Sequence, residues 1–124
     1  MRSALLFLLL VGATDDELKK RLGCDQNCQL LSVEKVKIGE QTDLAVRTRR
    51  SGHCGTVSDF TLLDPSLKLL LTIDEEVDRS CSGHDEHRKI RVTIDKDTVR
   101  AGERAWKWNG EKFITDNAAD SRRR

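Results

Sequence analysis

Val36-Lys37-Ile38-Gly39-Glu40-Gln41-Thr42-Asp43-Leu44-Ala45-Val46-Arg47-Thr48-Arg49 is two alternating runs divided by a polar break. Val36 and Ile38 alternate with lysines. Leu44, Val46 and Thr48 alternate with Ala45, Arg47 and Arg49. A period of two is the mark of a strand, because successive side chains point to opposite faces. Gly39 to Asp43 reads as the turn between them. The same grammar extends down the chain. Thr56 to Leu63 is a third run, and Asp64-Pro65-Ser66 a strong turn signal. Leu67 to Ile73 is the next strand, and its Leu69-Leu70-Leu71 core predicts burial on both faces. Asp74 to Arg88 is polar and reads as a long loop. Ile90, Val92 and Ile94 alternate again. Ala105 to Trp108 and Lys112 to Thr115 flank Asn109-Gly110, the pair best suited to a type I′ hairpin turn.

Upstream of the first strand the period changes. Thr14-Asp15-Asp16-Glu17 is a capping box, with acidic residues placed at the positive end of a helix dipole. Leu18 and Leu22 share one face, and Gly23 suits a helix stop. The prediction is a helix over about Asp15 to Leu22, resuming through Gln26 to Leu30. The fold class is therefore mainly β: an antiparallel meander of six or seven short strands with one N-terminal helix. It is α+β if that helix packs on the sheet. No helical pattern separates the strands, which argues against a parallel α/β fold.

Residues 1–13 carry a different signal. Arg2 is a short positive start, Ala4 to Val11 is an unbroken apolar run, and Val11-Gly12-Ala13 offers small residues for cleavage. A spanning helix needs about 20 apolar residues, so this run is too short to cross a bilayer. The expectation is a signal peptide over 1–13, a single exported domain over 14–124, and a secreted or periplasmic location. No cysteine follows the run directly, which argues against a lipid anchor. The competing reading is a buried N-terminal helix.

The chain has 124 residues with 22 basic and 21 acidic side chains, and removing Arg2 with the leader balances them. A neutral chain argues against nucleic-acid binding, which needs a basic surplus. Arg122-Arg123-Arg124 reads as a solvated tail. One proline, no tyrosine and 4% aromatic residues argue against a tyrosine-rich recognition face.

Four cysteines, Cys24, Cys28, Cys54 and Cys81, imply two disulfides in an exported chain. Three pairings exist, and the most economical joins Cys24 to Cys28 and Cys54 to Cys81. All three histidines lie near two of these cysteines: His53 precedes Cys54, and His84 and His87 follow Cys81. If reduced, Cys54 and Cys81 would supply thiolates for zinc with His84 and His87. Disulfides with solvated histidines and no cofactor are the leading reading, and zinc is the alternative.

No G-x-S-x-G, H-E-x-x-H, glycine-rich phosphate loop or calcium loop occurs. Ser51, Ser80 and Ser82 are ordinary loop residues, and Asp74, Glu75 and Glu76 read as a solvated acidic turn. The expectation is a protein that is not an enzyme. Trp106 and Trp108 share one strand face with Phe113 across the hairpin. Two readings stand: a core cluster that fixes register, or an exposed ledge that grips a partner or glycan.

Phe60-Thr61-Leu62-Leu63-Asp64-Pro65, Leu69-Leu70-Leu71, and Trp106-Lys107-Trp108-Asn109-Gly110-Glu111-Lys112-Phe113 together resemble small bacterial exported proteins that end in a W-x-W-[ND]-G-x-x-F hairpin. Those proteins resemble isolated blades of FG-GAP or VCBS-like propeller repeats. Such repeats commonly carry an acidic calcium loop that this sequence lacks. The resemblance implies a cell-envelope location. The functional expectation is a non-catalytic binding or inhibitory module acting on an envelope protein or glycan. Its contact residues would be Trp106, Trp108 and the loop from Asp78 to Arg88.

Overall fold

The computed structural model describes residues 14–115. The signal-peptide reading of residues 1–13 and the arginine run at 122–124 lie outside the described residues. Helix α1 spans Asp15–Leu22. The Thr14 hydroxyl accepts the Glu17 amide at 3.2 Å. Gly23 ends the helix at φ 66°, and the amides of Gly23 and Cys24 return to the carbonyls of Lys20 and Lys19. Both helix ends are thus satisfied by the residues that signalled them. The helix does not resume. A turn at Asp25–Cys28, closed by Cys28 N–H donating to the Asp25 carbonyl, leads directly into a strand.

Among the described residues nine strands follow, in two antiparallel sheets. The first sheet is β1 (Cys28–Ile38), β2 (Gln41–Gly52), β3 (Gly55–Leu63), β4 (Leu69–Cys81) and β5 (His84–Lys89), in that order. The second is β6 (Val92–Asp95), β7 (Thr98–Ala101), β8 (Arg104–Trp108) and β9 (Phe113–Thr115), again in chain order. The fold is mainly β with one N-terminal helix, as the alternation predicts, but it is two meanders rather than one. β5 and β7 are the strands the sequence reading lacked.

The first sheet is covered on both faces. On one, Leu18 of α1 is fully buried against Leu44, Val46, Leu63 and Leu67. On the other, Ala45, Phe60, Leu62 and Ile73 pack on Val92, Val99 and Ala101 of the second sheet. This explains why Asp43 to Val46 is buried at every position despite its alternating look. The sheets are pinned at one end. Gly39 N–H, in the β1–β2 turn, donates across to the Lys96 carbonyl of the β6–β7 turn at 3.0 Å, and within the second sheet Trp108 N–H donates to the Asp97 carbonyl at 2.8 Å.

Three register shifts reshape the ladders. Leu31 is the extra residue in β1, between the pairs Leu30–Thr48 and Ser32–Arg47. Glu75 is the extra residue in β4, between Asp59–Asp74 and Ser58–Glu76. Leu70 is extra between Leu62–Leu71 and Leu63–Leu69. The Leu70 bulge corrects the expectation for Leu69-Leu70-Leu71. Leu70 and Leu71 both pack on the inter-sheet core, while Leu69 is 51% exposed.

The Asp74 to Arg88 segment is not a loop. β4 runs on to Cys81, turns through Ser82 and Gly83, and returns as β5. Both turn residues have positive φ, 52° and 81°, which is the geometry of a type I′ hairpin. The turn after Trp108 is the reverse case. Only Gly110 has positive φ there, and the Asn109 side chain accepts the amides of Glu111 and Lys112. An Asx-stabilised loop over 109–112 replaces the expected type I′ turn.

Candidate functional site

Where the chain leaves β5 for β6, a groove of about 470 Å³ opens beside the first sheet. Its lining combines Arg47 and Arg49 of β2, Glu75 and Glu76 of β4, Lys89 to Val92 of the crossing, Ser58 and Leu31. Two of the three bulge residues, Leu31 and Glu75, line it. A bulge bends its strand and re-aims a side chain, and here each bulge turns one residue toward the same opening.

The floor of the groove is neutral and fixed. Arg47 Nε donates to Glu75 Oε1 at 2.8 Å and its Nη2 to Oε2 at 3.3 Å, while Nη1 reaches Glu34 at 3.2 Å. Its guanidinium also lies 4.9 Å above the Phe60 ring. The Glu75 hydrogen bond is the main reason Arg47 is held more firmly protonated than usual. Arginine matches a carboxylate with two parallel bonds, so this pair has a defined orientation.

The rim is different. Arg49 makes one long bond to Ser58 Oγ at 3.4 Å. Among the described residues, Arg49, Lys89 and Arg91 make no ion pair. All three are exposed, beside half-exposed Leu31 and partly buried Ile90. Glu76 also makes no ion pair among the described residues. The rim therefore presents three unneutralised cations, one carboxylate and two apolar side chains. Among the described residues, no aromatic side chain lines the groove.

The residues singled out by sequence lie elsewhere. Cys24 pairs with Cys28, and Cys54 with Cys81, at Cα separations of 5.0 and 5.1 Å. Each sulfur is bonded to its partner, so neither Cys54 nor Cys81 offers a thiolate to a metal. The three potential ligands that meet within 4.8 Å among the described residues are His53, Cys54 and Cys81. His84 and His87 are not among them. His84 sits opposite Cys81 in the β4–β5 ladder, and His87 Nδ1 lies 2.6 Å from Asp78 Oδ1. Trp106 and Trp108 are partly buried against the inter-sheet core, and the Trp108 and Phe113 rings are 5.0 Å apart. The contact loop expected from Asp78 to Arg88 is the β4–β5 hairpin. Its surface is laced by Arg79–Glu86 and Arg88–Glu86 pairs.

Opposite the groove, on the helix-side face of the first sheet, lies a second polar group. Asp59 is nearly buried, and Arg50 Nη2 reaches its Oδ2 at 2.8 Å. Its other oxygen has no partner. Burial, reinforced by the Asp74 carboxyl opposite it in the β3–β4 ladder, pushes the Asp59 carboxyl up to about 6 despite Arg50. Because the folded pKa is raised, the folded protein holds a proton that the unfolded chain has released between about pH 4 and 6. Ionised Asp59 therefore destabilises the fold, and stability is lost as pH rises through that window. Asp59→Asn removes the effect. The variant is expected to match the wild type near pH 4 and exceed it by on the order of 2 kcal/mol at pH 8. Urea denaturation at the two pH values checks this, and an equal difference at both would refute it.

No family model matches the chain, and no curated protein or solved structure matches it. The two disulfides suit an oxidising environment. Among the described residues, no helix is long and apolar enough to cross a membrane.

The groove was not legible from spacing. Arg47 and Arg49 look like the solvent side of a strand, and Asp74-Glu75-Glu76 like a turn. Only the bulges and the return of the second sheet bring them together.

Proposed function

We propose that this protein is an exported, non-catalytic binding module, secreted or periplasmic, which holds an envelope protein or glycan in the groove beside its first sheet. One observation carries the reading: three cations without ion-pair partners among the described residues surround a groove whose internal arginine is already neutralised. Cations left unpaired on a shaped surface are suited to steering and orienting a charged partner. The paired cysteines support a location outside the reducing cytosol. The zinc alternative has less support, because its two sulfurs are bonded to each other. The tryptophans favour the core reading, since both pack on the apolar centre.

The test is a titration of the ¹⁵N-labelled protein with neutral oligosaccharides, acidic oligosaccharides and short peptides. At least one class is expected to shift the amides of Leu31, Arg49 and Lys89 to Val92, and to be recovered chemically unchanged. Shifts confined to Trp106 and Trp108, or to the β4–β5 hairpin, would move the contact surface there. Turnover of a ligand would overturn the non-catalytic assignment.

A further inference from the structure

We infer that the groove takes an acidic peptide segment of a partner protein, one that also carries an apolar side chain. The inference rests on the groove being the binding surface and adds the chemical class of its occupant. Three features select that class. Arg49, Lys89 and Arg91 come from β2, the end of β5 and the crossing to β6, so the positive charge surrounds the opening rather than forming one stripe. Carboxylates are their natural complement. Leu31 and Ile90 flank these cations and offer an apolar side chain a place to leave water. Glu76 sits among the cations, opposite Lys89 in the β4–β5 ladder, and makes no ion pair among the described residues. A chain bearing negative charge at every unit would place one of those charges against Glu76. A peptide that alternates acidic and apolar residues avoids that repulsion.

A polysaccharide fits less well. It brings no apolar side chain for Leu31 and Ile90, and none of the described residues lining the groove offers an aromatic ring on which a sugar would stack. Arg47 does not act as a ligand-seeking cation, because Glu75 and Glu34 already hold it. Its role is to keep the floor rigid and neutral, so that the rim alone reads charge.

The experiment uses three probes against the ¹⁵N-labelled protein: an eight-residue peptide alternating glutamate and leucine, the same length alternating lysine and leucine, and a galacturonate octamer. The glutamate peptide is expected to shift Leu31, Arg49 and Lys89 to Val92, and the lysine peptide to leave them unmoved. Arg49→Glu and Arg91→Glu are each expected to weaken the glutamate peptide about tenfold. Raising salt is expected to weaken it further, as screening demands. Arg100→Glu, on the exposed face of β7, is the control that leaves binding unchanged. Both reversed residues are exposed, and an unchanged amide spectrum elsewhere confirms that each variant folds. If the galacturonate octamer binds the groove as tightly as the glutamate peptide, the peptide assignment falls while groove binding stands. If no probe moves the groove amides, the peptide assignment falls, and groove binding falls with it when neutral oligosaccharides are silent too.

Discussion

Gly55→Ala is expected to destabilise the protein by more than about 3 kcal/mol, the largest effect of any glycine-to-alanine change among the described residues. A Cβ at Gly55 would lie 2.1 Å from the Asp78 carbonyl oxygen and 2.6 Å from the Arg79 Cα. Both are backbone atoms of β4, so no side chain can rotate away to make room. Gly55 also has φ +143°, a region that residues with a Cβ rarely adopt. The substitution must therefore push β3 and β4 apart at the end where Cys54 and Cys81 join. Gly52→Ala, three residues earlier, supplies the contrast. It meets nothing within 4 Å and has no positive φ, so it is expected to be nearly neutral. Urea denaturation of the two variants side by side checks the pair, and similar midpoints for both would refute the close approach.

Loss of the Cys54–Cys81 bond is the second large effect. The bond closes a segment with a sequence separation of 27, against 4 for Cys24–Cys28. In the chain-entropy picture the longer loop restrains the unfolded chain more, by about 3–4 kcal/mol against about 2 kcal/mol. The double variant Cys54→Ser/Cys81→Ser is expected to lose that larger amount without leaving a thiol to reshuffle. Cys24→Ser/Cys28→Ser is expected to lose less. Intact mass after alkylation adds an independent check: the unreduced wild type should take up no label and the reduced protein four. Label on the unreduced protein would reopen Cys54 and Cys81 as thiolate ligands.

The sequence was most legible where local chemistry decides structure. The Thr14 cap, the Gly23 stop and the Asp64 turn each act through bonds within a few residues, and each is found as read. Strand alternation around Gly39 gave the first hairpin. Legibility ended where tertiary contacts override local preference. The polar stretch from Asp74 to Arg88 has little apolar alternation to mark it, yet cross-strand pairs such as Arg79–Glu86 and Asp78–His87 hold it as a hairpin. β7 is four residues long and marked mainly by Val99 and Ala101, both buried by the other sheet. The groove required four non-local facts at once: two bulges, the turn back of the second sheet, and the Arg47–Glu75 pair. A bulge adds one residue to a ladder and leaves no reliable trace in a one-dimensional pattern.

The ladders carry a kinetic consequence. Every strand pairs with the strand just before or after it, and no connection crosses another. Five of the hairpin loops, at 39–40, 53–54, 82–83, 96–97 and 102–103, hold two residues each. Folding speed follows the sequence distance that must be closed before contacts reward it. For a β protein this distance is short, so refolding with the disulfides intact should be quick, on the order of milliseconds. A chain emerging N-terminus first can complete each hairpin as soon as its second strand appears. No sticky strand edge has to wait for a distant partner, which shortens the interval in which such edges aggregate.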